Sequence, residues 1–217
     1  MTDQLTYELE QESAGHTRAG FLRNVAIAGG MSAAALTGFA DPAQAAAASD
    51  VDILNYALTL EYLEAAFYAD AEARAGLTGQ AQRFARVVGA HERAHVAALQ
   101  GVLGKAAVKK PRFDFGAATR SQAAFLKTAI VLEDTGVAAY KGQAGNIKSI
   151  AVLKAALSIH SVEARHASWV RHISHQPPAP VPFDKPLSKQ QVLAAVQKTG
   201  FIVGPATTTT ADPPFNG

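Results

Sequence analysis

The sequence predicts an all-α fold: a four-helix bundle with a long crossover between its second and third helices, followed by a short helix and a tail. The first observation is a motif, Glu-x-x-His, that occurs at Glu92 and again at Glu163 within apolar patterns of helical period. The second is an internal repeat, because Glu133 follows Glu61 by 72 residues and Glu163 follows Glu92 by 71. We therefore expect two similar helical hairpins within residues 50–175.

The first hairpin is bounded by glycines. Its first helix is predicted from Asp52 to Ala75 and should stop at Gly76, since glycine readily adopts the conformation that ends a helix. The second helix is predicted from Gly79 to Leu103. Because only a few residues separate them, the two helices must be antiparallel neighbours.

A connection of seventeen residues, 104–120, leads to the second hairpin and has the composition of an extended segment. Fully extended it would reach about 56 Å, whereas a helix of 25 residues is about 37 Å long. The connection can therefore cross the whole bundle, which makes the second hairpin a rotated copy of the first. Its helices are predicted from Ser121 to Gly142 and from Ile147 to Ser174.

Residues 176–217 form an extension beyond the bundle. Four prolines within residues 176–182 should stop the fourth helix. Ser188 is a suitable cap for a short amphipathic helix that ends near Lys198, and residues 207–217 have the composition of a low-complexity tail.

Residues 1–45 are typical of an export signal. A polar leader precedes Arg18, an Ala/Gly-rich apolar run follows, and the residues 43–45 form a small-x-small cleavage site. The leader resembles a twin-arginine signal, except that Ala19 replaces the second arginine, which leaves ordinary secretion open. The apolar run is too short to span a bilayer, which needs about 20 apolar residues. We expect an exported protein, periplasmic or extracellular, without a membrane span after cleavage; the alternative is a disordered tail with an uncleaved Ala-rich helix.

Composition excludes several classes of function. Twenty basic and eighteen acidic residues leave a net charge of +2, too small a field to indicate a nucleic-acid partner, and no nucleic-acid recognition motif is present. The chain has no cysteine, so its stability must come from packing rather than from disulfides.

The glutamates on the inward faces predict a metal centre. Burying an ionised carboxylate without a partner costs several kcal/mol, and two histidines cannot neutralise four glutamates. Two divalent cations would balance the charge, and iron or manganese accepts this mixture of carboxylate and imidazole ligands, with iron the first choice. The predicted ligands are Glu61, Glu92, His95, Glu133, Glu163 and His166.

Several further residues are expected beside this centre. Glu64 is an alternative to Glu61, but the repeat aligns Glu61 with Glu133 and Glu64 with Gly136, so Glu64 is predicted to support the ligands. Tyr68 and Tyr140 lie two helical turns from their own glutamates and are predicted as core residues next to the site rather than as redox relays. The remaining histidines of the helices, His91, His160 and His172, are expected at the surface or beside the ligands.

The six-residue pattern resembles the di-metal carboxylate proteins of the ferritin-like superfamily, whose bundles hold such ligands on facing helices. The segments 58–68, 132–137 and 162–166 resemble the exported, desiccation-related branch more closely. The resemblance covers roughly residues 50–175. It implies that Glu92 and Glu163 bridge two metals, that Glu61 and Glu133 are terminal, and that each metal takes one histidine.

Three functions are compatible with these features. The first is an oxidoreductase that oxidises Fe(II) or removes hydrogen peroxide or oxygen outside the cytoplasm. The second is a non-enzymatic envelope or stress protein that uses metal for stability and its C-terminal extension for contacts. The third, iron storage, requires a homo-oligomeric shell.

Overall fold

The computed structural model describes residues 50–205 and confirms the all-α prediction. The helices are α1 (Asp50–Arg74), α2 (Gly79–Leu103), α3 (Gln122–Ala144), α4 (Ile150–Ile173) and α5 (Lys189–Thr199), with short strands β1 (Arg112–Phe113) and β2 (Ile202–Gly204). Every long helix begins and ends within three residues of its predicted bounds. The proposed export signal and the low-complexity tail lie outside the described residues. No helix within 50–205 is long and apolar enough to cross a membrane.

The connection between α2 and α3 crosses the bundle from end to end. At its start, the Asn55 side chain near the beginning of α1 donates to the carbonyl of Ala106. At its end, the Gln122 side chain accepts a hydrogen bond from the backbone N–H of Thr78, in the turn between α1 and α2. α2 and α3 therefore point in the same direction, as the predicted crossover requires.

Hydrogen bonds at the helix ends fix how the two hairpins meet. Ser121 and Ser149 cap α3 and α4, each accepting a hydrogen bond from a backbone N–H three residues later. Asp50, at the start of α1, accepts hydrogen bonds from the backbone N–H groups of Lys148 and Ser149. The beginnings of α1 and α4 thus lie together, although 98 residues separate Asp50 from Lys148 in the chain.

The C-terminal segment packs against the bundle from Leu187 to Gly204, whereas residues 176–186 are exposed. α5 buries Val192 and Val196 in the main apolar cluster. Leu187 passes so close to α3 that a Cβ atom on Gly142 would lie 1.9 Å from the Leu187 carbonyl oxygen. β2 pairs antiparallel with β1 in the crossover, and Phe201 lies edge-on against Phe115.

The crossover differs from the prediction in one respect. Residues 104–120 were expected to be extended, but they contain two 3-10 turns, Gly104–Ala106 and Gly116–Thr119, as well as β1. The strand pairing was not predicted, because β1 and β2 are only two and three residues long and their partner segments are about 90 residues apart. So short a strand leaves no alternating pattern in the sequence.

Candidate metal centre

Four glutamates lie together in the middle of the bundle, one from each long helix. Each is 0% exposed, and they are Glu61 of α1, Glu92 of α2, Glu133 of α3 and Glu163 of α4. The helical repeat accounts for their position, since each occupies the inward stripe of an otherwise apolar face. Carboxylates enclosed in this way require neutralisation by protons or by cations.

The donor atoms form two groups that share two residues. Within each group one donor atom per residue lies within 4.8 Å of all the others, and the groups are Glu61, Glu92, His95, Glu163 and Glu92, Glu133, Glu163, His166. We call the first group the His95 half and the second the His166 half. Because Glu92 and Glu163 belong to both halves, they are placed to bridge two ions.

The distances within each half suit a common cation. His95 Nδ1 lies 3.2 Å from Glu61 Oε2 and 3.0 Å from Glu163 Oε1. His166 Nδ1 lies 3.3 Å from Glu133 Oε2 and 3.5 Å from Glu163 Oε2. Adjacent ligands about 2.1 Å from an octahedral ion stand about 3.0 Å apart. Both imidazoles present the same nitrogen, so the two halves use equivalent atoms.

Hydrogen bonding within the protein does not satisfy this cluster. Within the described residues, Oε1 of Glu92, Oε2 of Glu133, both carboxylate oxygens of Glu163 and Nδ1 of His166 are buried, and their contacts of 3.0–3.5 Å with one another or with His95 do not have hydrogen-bond geometry. The large majority of buried polar side-chain atoms in proteins have a partner. These five atoms lie in one cluster, and their chemical types are those of metal ligands.

The pKa values of the predicted ligands also indicate that the cluster requires positive charge. Burial raises the pKa of Glu133 to about 7, although the neighbouring His166 opposes the shift. Burial would also raise the pKa of Glu163, but contacts with His166 and His95 lower it to about 2. Burial would lower the pKa of His166, but its contacts with Glu133 and Glu163 raise it to about 12. Protonated imidazoles or metal ions can supply this charge, and metal binding must displace protons.

Two tyrosines reach across from one hairpin to the other. The Tyr68 hydroxyl of α1 donates a hydrogen bond to Glu133 Oε1 of α3. The Tyr140 hydroxyl of α3 donates to Glu61 Oε1 of α1 at 2.5 Å. Both tyrosines are core residues as predicted, but each also orients a terminal carboxylate of the opposite hairpin. The sequence suggested no such link, because each tyrosine was placed relative to the glutamate of its own helix.

Glu64 lies beside the centre without belonging to either half. It is 4% exposed, and a Cβ atom on Gly136 would lie 3.4 Å from Glu64 Oε1 and 3.7 Å from Glu163 Oε2. The glycine that the repeat aligns with Glu64 thus makes room for its side chain. Burial, followed by the charges of Glu163 and Glu133, raises the pKa of Glu64 well above its usual range. In the metal-free protein, Glu64 therefore favours its neutral, protonated form.

His91 contacts a predicted ligand directly. Its Nδ1 lies 2.9 Å from His166 Nε2, and the two rings stack with centroids 5.1 Å apart. The helix pattern places His91 at an exposed position, and its proximity to His166 depends on how α2 packs against α4. A histidine whose Nδ1 binds metal commonly donates its other ring N–H to a neighbouring group, and His91 is placed to accept it.

The ligand types are those used by iron and manganese. Carboxylate and imidazole donors suit both metals, and such a set does not distinguish between them. The structure brings together all six residues predicted as ligands, in an arrangement compatible with a di-metal site. Metal binding by these residues stays a prediction.

Comparison with known proteins gives the family. The chain has no match among the curated proteins with which it was compared. A family model described as a ferritin-like domain matches residues 49–176, which include the four long helices and all six predicted ligands. With its crossover bundle and its buried glutamate–histidine cluster, this chain belongs to the ferritin-like domain family.

Proposed function

We propose that this chain is an exported di-metal oxidoreductase that oxidises Fe(II) with dioxygen or hydrogen peroxide. The observation that supports the proposal is the set of four carboxylates and two imidazoles enclosed by one bundle. Iron is the preferred metal, and manganese is the alternative because it accepts the same ligands.

The residues of the chain hold and orient the reactants. Glu92 and Glu163 can contact two ions at once, which keeps the ions close enough to act on one small molecule. Tyr68 and Tyr140 fix the terminal carboxylates by hydrogen bonds. Iron or manganese bound there would supply redox chemistry that no side chain of this cluster provides.

Either oxidant can accept the electrons that Fe(II) releases. Oxidation of two Fe(II) ions to Fe(III) releases two electrons. Hydrogen peroxide takes both electrons together with two protons and becomes two molecules of water. Dioxygen takes both electrons and two protons and becomes hydrogen peroxide.

The site of action that we propose is outside the cytoplasm. The polar leader, the apolar run and the small-x-small sequence that ends at Ala45 support export. The resemblance of residues 58–68 and 132–137 to the desiccation-related branch supports a role in stress protection. Sequencing of the mature N-terminus should give a chain that starts after Ala45; a mature protein that keeps Met1 would contradict cleavage.

Metal analysis tests whether the six predicted ligands bind metal. Protein purified without chelators, or incubated with Fe(II) or Mn(II), should contain about two ions per chain. Glu163→Ala should abolish loading while leaving the helix content unchanged, whereas Glu72→Ala, at an exposed acid of α1, should load normally. A protein that stays free of metal after incubation with both ions would refute the proposal.

The alternative is a non-enzymatic envelope protein in which metal only stabilises the bundle. This alternative is motivated by the long C-terminal extension, of which residues 187–204 pack on α3 and the crossover while residues 176–186 are exposed. Turnover of Fe(II) with dioxygen or peroxide by the metal-loaded chain would exclude it. Iron storage requires a shell, so a chain that stays a monomer or dimer in solution would exclude a cage.

A further inference from the structure

The two ends of the bundle interior are packed differently, although the sequence repeat relates them. Beside the turn between α1 and α2, three fully buried phenylalanines fill the interior. The ring of Phe125 lies 5.4 Å from that of Phe67 and 6.2 Å from that of Phe84. The repeat offsets of 72 and 71 residues pair Phe67 with Ala139, Phe84 with Ala155 and Phe125 with Ile53.

A partly open apolar cavity lies at the opposite end, beside the turn between α3 and α4. Ile53, Ala139 and Ala155 all line it, so the cavity is present where smaller side chains replace the phenylalanines of the other hairpin. Its free volume is about 30 Å³, while one water molecule needs about 10–15 Å³ on such a measure. The cavity therefore has room for one very small molecule.

This cavity adjoins one half of the candidate centre. Ala57 on its wall precedes Glu61 by four residues, which is about one helical turn. Leu99 follows His95 by four residues, and Ile159 precedes Glu163 by four. Glu61 and His95 belong to the His95 half alone, and Glu163 is shared by both halves. The equivalent space beside the His166 half is occupied by the phenylalanines.

Tyr140 connects the cavity to the ligands directly. Its side chain lines the cavity, and its hydroxyl donates to Glu61 Oε1 at 2.5 Å. A molecule in the cavity would therefore lie against the side chain that holds a terminal carboxylate.

The side chains that line the cavity determine which small molecule it can bind. Carbon atoms form nearly all of it, and the polar side chains that take part are Tyr56, Tyr140 and Gln143. Water or hydrogen peroxide would lose hydrogen bonds on entering such a space, at a cost of a few kcal/mol per unpaired group by the usual transfer scales. Apolar cavities in proteins stay dry and accept apolar guests such as xenon. Dioxygen is a very small apolar molecule and meets both conditions.

We propose that this cavity binds dioxygen and passes it to the His95 half, an inference that rests on the proposed function of the centre. The oxidant is then dioxygen rather than hydrogen peroxide. Each dioxygen accepts two electrons, one from each of two Fe(II) ions, and two protons from solvent, and leaves as hydrogen peroxide.

Xenon tests the cavity independently of the metal. Crystals of the metal-free protein under xenon pressure should show one xenon atom between Ala139, Ala155 and Leu99. Xenon found only elsewhere, or none bound, would refute the binding site. The result does not depend on metal loading, so it remains decisive even if the proposed oxidoreductase function fails.

A substitution that fills the cavity tests whether dioxygen reaches the His95 half through it. Ala155→Leu fills the cavity, and oxidation of the Fe(II)-loaded protein at limiting dioxygen should slow on the order of tenfold, equivalent to about 1.4 kcal/mol. Oxidation by hydrogen peroxide should stay within about twofold of the original rate, since by this proposal peroxide does not use the cavity. Ala73→Leu, the same change at an exposed position of α1, should alter neither rate.

The outcomes separate the two proposals. An unchanged dioxygen rate in Ala155→Leu, or an equal loss with both oxidants, would refute delivery through this cavity. Ala139→Val, a smaller filling change at a site that is 1% exposed, serves if Ala155→Leu does not fold. Failure of the unsubstituted protein to bind metal would refute the proposed function, and with it the delivery of dioxygen, while the xenon result still decides whether the binding cavity exists.

Discussion

The two halves of the candidate centre have equivalent ligands but different surroundings. In each half, a histidine presents Nδ1 to the shared glutamates and a tyrosine from the opposite hairpin holds the terminal carboxylate. Around the His166 half the interior is filled by aromatic rings, and His91 contacts His166 Nε2. Around the His95 half there is an apolar cavity. The predicted ligands therefore recur at equivalent positions of the two hairpins, whereas the side chains that pack around them differ.

The largest effect should come from a residue that both halves share. Glu92→Gln removes a bridging carboxylate from each half, so metal content should fall from about two ions per chain to near zero. Elemental analysis after incubation with Fe(II) or Mn(II) measures this. A variant that still holds one ion would show that Glu92 is not shared.

The same variant should be more stable than the original protein when both are free of metal. Burial and the charge of Glu163 raise the pKa of Glu92 well above 4.5. A raised carboxyl pKa means that stability is full below about pH 4.5 and is lost as pH rises through the folded-state value. Glutamine stays neutral, so thermal unfolding of the metal-free variant at pH 8 should occur a few degrees higher, about 2–4 °C per kcal/mol for a chain of this size.

Substitution of a terminal glutamate should remove the ion of one half only. Glu61→Gln should leave one ion in the His166 half, and Glu133→Gln should leave one ion in the His95 half, each at about one ion per chain. Anomalous scattering from crystals of each variant locates the remaining ion. Loss of both ions in either variant would mean that the halves load only together.

Metal binding to the His166 half should depend on pH. Burial raises the pKa of Glu133 to about 7, and this carboxyl must lose its proton before it binds metal. The proton on Glu133 alone should lower the affinity by up to about tenfold per pH unit below 7, or about 100-fold at pH 5. Mn(II) titration of Glu61→Gln, in which only the His166 half loads, measures this. A constant affinity between pH 5 and 8 would contradict it.

His91 should have a smaller effect that is confined to one half. His91→Ala removes the group beside His166 Nε2, and metal affinity of the His166 half should fall about 10–100-fold. His91→Gln, which keeps a hydrogen-bond acceptor, should recover part of the loss. Val162→Ala is the matched control, because the repeat aligns Val162 with His91. Equal losses in the Val162 control would show that the effect is general destabilisation.

Much of the architecture could be predicted from the sequence. The helical period and the glycines placed α1 to α4, because the burial of one stripe leaves a regular pattern at every turn. The offsets of 72 and 71 residues selected Glu61 over Glu64, and the structure places Glu61, not Glu64, in the His95 half. These features were visible because each is local to one helix or repeated along the chain.

The rest depends on contacts between helices. Tyr68 and Tyr140 were expected to pack in the core, and only the crossing of the hairpins shows that each reaches the glutamate of the other. His91 occupies an exposed position of its helix, and the packing of α2 on α4 brings it to His166. The alanines at positions 139 and 155 gave no signal of their own, since a cavity depends on all the side chains around it.

The sequence by itself determined the helices and the six residues that cluster at the middle of the bundle, because hydrophobic period and uncompensated charge are properties of the chain. The tertiary structure alone decided which predicted ligands lie together in each half, which tyrosine donates to which carboxylate and which half adjoins the cavity. The two tyrosine–carboxylate hydrogen bonds, for example, join residues 65 and 79 positions apart in the chain. These relations are set by the direction of the crossover and the volumes of facing side chains, which no segment of the chain specifies alone.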